Sequence, residues 1–415
     1  MKIGQFAKQN EISIDTVRHY MDLGLIAPEK KTGQYQFDEK CNKEMKDIIY
    51  LKDLGFTLQE IKTIFQYKRL GKLSALQNNQ YYKKLFEEKF NEVEQKINEY
   101  QTIRGNLQTE ISKLQASESQ NNKQMGIHLS VLSLLECKEC HTSLNIVSGD
   151  IQHNQILDGE LQCRCEEQYL IKDGILFTSD TIKQTNQLEE QTKVIDDFSY
   201  FLSDYIKETD EQFIDNVFKS IDWIHNRIDF EKLENKTLLH LGTGIGMALR
   251  QIYESVPQSC IYIAVDHDIK RHQLLKSILE TYNIRKKVLF ICSDFLNIPI
   301  KNNSVDYLMD TGSSEYSLCN VKFLLPQIQH YVKQDSYLIG GYLYFNNFHT
   351  NSFIEEAYRK NFQLEQIKRN IKELDYETIA DTSHIQHNRY PGKYEIKLFE
   401  GEETYNYLFI GKRLG

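Results

Sequence analysis

The stretch LLHLGTGIGMAL, residues 238–249, decides the fold of the larger part of this 415-residue chain. An apolar run leads straight into Gly242, Gly244 and Gly246, and a helix-compatible run follows. Glycine accepts positive φ and lets a backbone approach a ligand, so the pattern predicts a strand, a ligand-holding turn and a helix. The spacing narrows the ligand. A dinucleotide fingerprint needs its third glycine at position 247, which is Met247, and no Gly-Lys-Ser/Thr ending is present for a phosphate loop. Beyond Gly246 the run CIYIAVD ends at Asp266, where a carboxylate can accept both hydroxyls of a ribose. VLFICSD then ends at Asp294, and VDYLMD and SYLIGGYLYF supply two more strands. Strands alternating with helical stretches predict a doubly wound α/β sheet with its ligand at the carboxyl ends. The aromatic-rich segment 191–230 is expected to cover the pocket mouth, and the tail 351–415 to add closing antiparallel strands.

The first seventy residues follow other rules. IGQFAKQNEISIDTVRHYMDLGLI, residues 3–26, reads as two short helices, the second capped by Ser13 with Asp15 in its first turn. That helix presents Thr16, Arg18, His19 and Tyr20, as a recognition helix does in a major groove. APEKKTGQYQFDEK follows, with Lys30 and Lys31 beside Gly33, Tyr35 and Phe37, and predicts a small β wing. Thr57 and Glu60 form a capping box for a later helix. The net charge of −9 is uneven, because residues 1–72 carry 13 Lys/Arg against 10 Asp/Glu. The segment expected to meet DNA is therefore positive, and the acidic remainder disfavours an RNA-binding role there.

From Phe86 the apolar positions run Phe90, Val93, Ile97, Tyr100, Leu107, Ile111 and Leu114, spaced four and three with Arg104 as one polar member. This predicts a coiled coil and a homodimer. A polar linker is expected over 115–124. Cys137-x-x-Cys140 and Cys163-x-Cys165 cluster, while Cys41, Cys260, Cys292 and Cys319 are scattered. Four thiolates around Zn²⁺ can hold a segment too small for its own core. The second pair is one residue short of the usual spacing, so His141 and His153 stay open as alternative ligands. No apolar run reaches the roughly 18 residues of a membrane helix, and no signal-peptide pattern opens the chain, so a cytoplasmic protein away from membranes is expected.

Three resemblances join these readings. Residues 3–26, the wing and IIYLKDLGFTLQEIKTIF resemble the MerR family of transcriptional regulators. That resemblance implies Ser13, Thr16, Val17, Arg18 and Tyr20 facing double-stranded promoter DNA, with Lys30, Lys31 and Tyr35 on its backbone and RNA polymerase as a further partner. The glycine loop, Asp266, Asp294 and IP…VDYLMD together resemble class I S-adenosylmethionine-dependent methyltransferases of the UbiE type. This implies a cofactor site of His240, Gly242, Thr243, Gly244, Gly246, Asp266, His267, Asp294 and Phe295, with histidine at 240 where the family carries an acid. The cysteine segment is similar to zinc-ribbon modules that accompany some methyltransferases.

The expected layout is multidomain. An all-α winged helix-turn-helix (1–75) precedes a dimerisation helix (76–118), a zinc ribbon (128–178) and an α/β doubly wound, Rossmann-like methyltransferase domain (190–415). The expected function is a MerR-type regulator whose C-terminal domain senses S-adenosylmethionine, with or without methyl transfer to a small-molecule acceptor. A small-molecule methyltransferase with an autoregulatory reader is the second reading, and an RNA methyltransferase the third. No catalytic residue is assigned; His267, Glu315, Tyr316, His349 and His384 are candidates by position alone.

Overall fold

The computed structural model describes residues 1–31, 33–71, 74–117, 124–178, 198–386 and 398–415. Contacts divide the chain into two units, Met1–Ser119 and Gln120–Gly415. Most of the linker expected at 115–124, and position 190 where the last domain was expected to begin, lie outside the described residues.

In the first unit, α1 (Ile3–Gln9) and α2 (Ile14–Asp22) are followed by the wing strands β1 (Glu29–Lys31) and β2 (Gln34–Gln36). Helices α3 (Glu39–Asp53), α4 (Leu58–Gly71) and α5 (Ala75–Ser117) complete it. The expected punctuation is present. Ser13 Oγ accepts the Thr16 N–H at 3.0 Å. Glu60 takes the Thr57 N–H at 2.7 Å while Thr57 Oγ1 accepts the Glu60 N–H at 3.3 Å, a reciprocal box satisfying two otherwise orphaned donors. Phe6, Val17, Leu25, Met45, Ile48 and Ile61 form the core beneath the wing. Arg69 at the end of α4 donates to the Gly24 and Leu25 carbonyls at 2.8 Å, fixing the turn that follows α2.

The second unit is built on one sheet. Its helices are α6 (Phe198–Lys207), α7 (Glu211–His225), α8 (Met247–Ile252), α9 (Ile269–Leu279), α10 (Ser314–Cys319), α11 (Leu324–Ile328) and α12 (Leu364–Glu373). Its central strands are β8 (Thr237–Leu241), β9 (Ile261–Asp266), β10 (Lys287–Cys292), β11 (Val305–Asp310) and β12 (Val332–Phe345). They are parallel and ordered β12-β11-β8-β9-β10. Every residue of β8 and β11 is buried, as an apolar run covered on both faces requires. Antiparallel β14 (Thr404–Arg413) and β13 (Tyr376–Gln386) close the β12 edge. The strand order reverses between β8 and β11, and a crevice at that switch point is the natural ligand position. At the opposite ends, Asp306 accepts the Thr237 N–H at 3.0 Å and Lys333 at 2.9 Å. Burial alone would raise its carboxyl, but these donors hold it below the usual range.

The cysteine segment departs from the expected layout. Its strands β3 (Ile127–His128), β4 (Asn145–Gln152), β5 (Gln155–Gln162), β6 (Gln168–Lys172) and β7 (Ile175–Phe177) are not a separate body. β7 pairs parallel with β10, Phe290 to Ile175 through Cys292 to Phe177, so the ribbon continues the main sheet. The physical reason is burial: Ile127, Leu161, Tyr169 and Ile171 share one core with Leu239, Val265 and Ile291.

Candidate functional site

The loop after β8 carries the first half of the cleft. Gly242, Gly244 and Gly246 have φ of +64°, +56° and +76°, each in the left-handed region that favours glycine. The three have different reasons. A Cβ on Gly242 would strike the Gly312 backbone, and one on Gly312 would strike that of Gly242. A Cβ on Gly246 would strike Leu275 of α9, so this glycine seats α8 against its neighbour. A Cβ on Gly244 would meet only the Gly242 carbonyl, at 3.9 Å, an ordinary van der Waals contact. Gly244 is thus the one of the three where an added Cβ would meet no close contact.

Asp266 ends β9 at 1% exposure. Its carboxylate accepts the Gly244 N–H at 2.8 Å and the Asp268 N–H at 2.9 Å, which ties the glycine loop to the second strand. Arg271 of α9 stands 3.8 Å from Asp266 and 3.2 Å from Glu315. His267 also approaches Asp266, at 3.7 Å, and Glu315, at 4.0 Å. Glu315 belongs to α10, so this charged group connects the end of β9 with the segment after β11. Asp294 after β10 is exposed and accepts the Leu296 N–H at 2.7 Å. Phe295 beside it is buried, its ring 6.4 Å from that of Tyr316. Thr243 is buried and donates to the His240 carbonyl at 3.2 Å.

His240 lies inside the sheet layer, 1% exposed. Its ring nitrogens meet the Tyr262 hydroxyl at 2.6 Å and Thr311 Oγ1 at 2.9 Å. Burial pushes its pKa down to about 4, so the ring is neutral, one nitrogen donating and the other accepting. It reaches the cleft through Thr311, which precedes Gly312. Sequence reasoning missed this second loop. Its signal was DTGSS at the carboxyl end of a strand, the same strand-then-glycine pattern that marked Gly242. It also missed Asp310, which ends β11 at 1% exposure. Among the described residues neither Asp310 oxygen makes a hydrogen bond of good geometry, nor does the Tyr342 hydroxyl. Burial raises Asp310 to about 6, opposed by the nearby Ser313 and Tyr342 hydroxyls. The buried His384 Nε2 likewise lacks a partner, on β13 away from the glycine loop.

The four cysteines do converge. Their sulfurs lie within 4.8 Å of one another, and tetrahedral zinc with bonds of about 2.3 Å places sulfurs roughly 3.8 Å apart. The backbone is shaped for such a centre. The Cys137 N–H binds the Thr142 carbonyl at 2.9 Å, and the Glu139 N–H points at Cys137 Sγ at 3.4 Å. The Tyr169 hydroxyl is buried with no nitrogen or oxygen partner, and Cys137 is the side chain it addresses. A metal-bound thiolate there would be an acceptor for that hydroxyl. Burial drives Cys163 up to about 12, whereas Thr142 draws Cys140 down to about 6. His141 Nδ1 lies 3.2 Å from Glu136 Oε1, outside the cluster.

On the first unit, Ser13, Arg18, Lys30, Lys31 and Tyr35 are exposed and Thr16 half-buried. Arg18 pairs with Asp15 at 3.1 Å, and Lys30 Nζ sits 5.7 Å from the centre of the Tyr35 ring. Val17 and Tyr20 correct the expectation. They are 0% and 4% exposed, one helical turn apart on the inward face of α2. Tyr20 presents only its hydroxyl, which accepts from Lys52 at 3.4 Å. On α5 the apolar row from Phe90 to Leu114 is exposed, but Phe86 packs on Phe56 of its own unit, ring centres 5.7 Å apart.

Comparison with known proteins puts the family matches in the first unit. Residues 1–68 match the MerR HTH family regulatory protein family, and residues 43–109 the MerR, DNA binding family. A ZntR homolog of Haemophilus influenzae, an HTH-type transcriptional regulator, is 30% identical over 109 residues, 26% of this chain and 78% of that protein. The multidrug-efflux transporter 2 regulator of Bacillus subtilis is 32% identical over 111 residues, 26% of this chain; the match spans only 37% of that regulator. Among solved structures, a methyltransferase of Methanosarcina mazei aligns with 46% of this chain and 97% of its own, at 12% identity and TM-score 0.33. A phosphoethanolamine N-methyltransferase of Haemonchus contortus aligns with 49% and 58%, at 15% identity and TM-score 0.32.

Proposed function

This chain belongs to the MerR family of helix-turn-helix regulatory proteins, and from that premise we propose that its second unit binds S-adenosylmethionine as the effector of a transcriptional regulator. The observation that carries the reading is the glycine loop at the sheet's switch point, uncrowded at Gly244 and tied by the Gly244 N–H to the Asp266 carboxylate. Gly242 and Gly244 would run under the methionine portion, Asp266 and His267 would meet the ribose, and Asp294 with Phe295 would flank the adenine. Gly246 and Thr243 shape the turn. His240 positions the neighbouring loop through Thr311. A bound S-adenosylmethionine supplies an activated methyl, so the chain's own residues need only align an acceptor and exclude water. Cys137, Cys140, Cys163 and Cys165 would hold one structural Zn²⁺, which the orphaned Tyr169 hydroxyl supports.

Promoter DNA is read by the exposed Ser13, Arg18, Lys30, Lys31 and Tyr35 with the half-buried Thr16, and two copies pair along α5 to place two readers on a palindrome. The exposed apolar row, Phe90 at 62% and Leu114 at 66%, supports that pairing. RNA polymerase is the partner such a regulator would address. The second reading, a small-molecule methyltransferase with an autoregulatory reader, is favoured by Asp310, an unpartnered carboxyl beside the cleft where an acceptor's proton could go. The test is operator affinity, by fluorescence anisotropy, with and without S-adenosylmethionine. The effector role requires a shift of about fivefold or more. An unchanged affinity at saturating cofactor removes that role and leaves the enzyme reading.

A further inference from the structure

We infer that the four-cysteine knuckle is a positioning element of the cleft, so that metal occupancy sets the affinity for S-adenosylmethionine. The inference rests on the reading above that the cleft takes this cofactor and the cysteines a metal. The wall assigned to adenine begins where β10 ends. There Ser293 Oγ donates to the Asp294 and Asn297 carbonyls at 3.0 Å, and the Asn297 N–H reaches the Asp294 carbonyl at 3.1 Å. This compact turn runs on into Ile298, Pro299, Ile300 and Lys301. The strip is held from two sides, and both sides lead to cysteines.

On one side, the residues immediately before Cys137 are paired to it. The Lys301 N–H binds the Leu134 carbonyl at 2.8 Å, and the Glu136 N–H binds the Pro299 carbonyl at 3.1 Å. Leu135 bridges Ile300 between them, and both side chains are buried. On the other side, β7 is in register with the carboxyl end of β10 as far as Phe177 and Cys292. β6 pairs with β7, and β5 with β6. Cys163 directly follows β5, and Cys165 lies in the turn leading to β6.

The path is therefore a ring: Cys137, the Pro299–Lys301 strip, β10, β7, β6, and back to Cys163 and Cys165. Besides the sulfurs themselves, the two cysteine turns are joined by a long bond, Arg164 N–H to Thr142 Oγ1 at 3.4 Å, and by the pairing of β4 with β5, Asn145 opposite Gln162. A metal bound by both pairs closes the ring covalently. Without it the two turns are held only by the β4–β5 pairing and that long bond, and the strip has one fewer constraint. Ordering the strip in advance lowers the cost of binding.

The experiment uses the full chain, zinc-loaded and chelator-stripped, with far-UV circular dichroism confirming that both retain their secondary structure. Two readouts are taken: amide hydrogen exchange of peptides covering residues 287–304, and calorimetric titration with S-adenosylmethionine. Stripping should speed exchange over 293–301 and weaken the cofactor roughly tenfold or more, the range in which outer contacts of metal sites act. Lys301→Pro, which deletes the amide bound to Leu134 and leaves the cysteines intact, should keep its zinc yet bind the cofactor as weakly as stripped protein. Equal cofactor affinity in loaded and stripped protein, or unchanged exchange over 293–301, overturns the inference alone. A zinc-loaded protein that binds no cofactor overturns the cleft reading, and the inference with it.

Discussion

The DNA-reading face of the first unit and the cleft of the second use polar groups in opposite ways. Arg18, Lys30, Lys31 and Tyr35 stand in solvent on a core they do not enter. Asp266, His240 and Asp310 are each 1% exposed, and the first two hold the sheet's ligand end in shape through their hydrogen bonds. An exposed cation waits for a large polyanion and contributes little to folding; its ion pair with a neighbour is worth about 0–1 kcal/mol. A buried polar group must be satisfied within the fold, so it shapes the site and the stability together. Substitutions in the first region should therefore change binding alone, and those in the second should change stability as well.

The largest effect should fall where the two cleft loops touch. Gly312→Ala and Gly242→Ala each push a methyl into the opposite backbone, and Gly242 adds a φ of +64°. Each is expected to destabilise the second unit by roughly 4 kcal/mol, read as a lost thermal transition, while operator binding by the first unit persists. Normal melting of both variants would mean that the loops do not meet.

Next comes a pair of opposed titrations. His240 at about 4, against an ordinary 6.5, stays neutral in the fold; its contribution is complete above about pH 6.5 and lost as pH falls toward 4. Asp310 at about 6, against 3.8, does the reverse: it costs stability at pH 7 and returns it as pH falls from about 6 to 4. The two largely cancel in the native chain. Asp310→Asn removes one of them, so it should stabilise at pH 7 by up to about 3 kcal/mol and uncover an acid-sensitive slope. Urea melts at pH 7 and pH 5 measure this; parallel losses in variant and wild type contradict it.

The smallest effect belongs to the exposed face. Arg18→Ala should weaken operator binding by about 1–3 kcal/mol if the side chain reaches a base edge, with the unfolding midpoint unchanged. A stability loss comparable to the binding loss would erase the contrast between the two regions.

What the sequence made legible follows the same physical line. Ser13 capping Thr16 and Thr57 with Glu60 are contacts within three residues, visible wherever the residue types and spacing coincide. The strand runs and the glycine loop were legible because burial on both faces leaves an uninterrupted apolar stretch. Val17 and Tyr20 were misplaced although their spacing, one turn apart on an amphipathic helix, pointed inward; the family pattern outweighed the periodicity. The partners of His240 were not legible, since Thr311 lies 71 residues away and only the parallel pairing of β8 with β11 brings it near. The junction of β7 with β10 was hidden for the same reason. No turn or cap records which edge a short buried strand will join.

The central claim is that the crevice over Gly244 takes S-adenosylmethionine, and calorimetric titration of the zinc-loaded chain tests it directly. One site per chain is expected, with Asp266→Ala weakening it by about ten- to a hundredfold, the equivalent of a charge-assisted hydrogen bond of ~1.5–3 kcal/mol. Absence of binding at millimolar cofactor, in protein whose second unit melts cooperatively, would contradict the account.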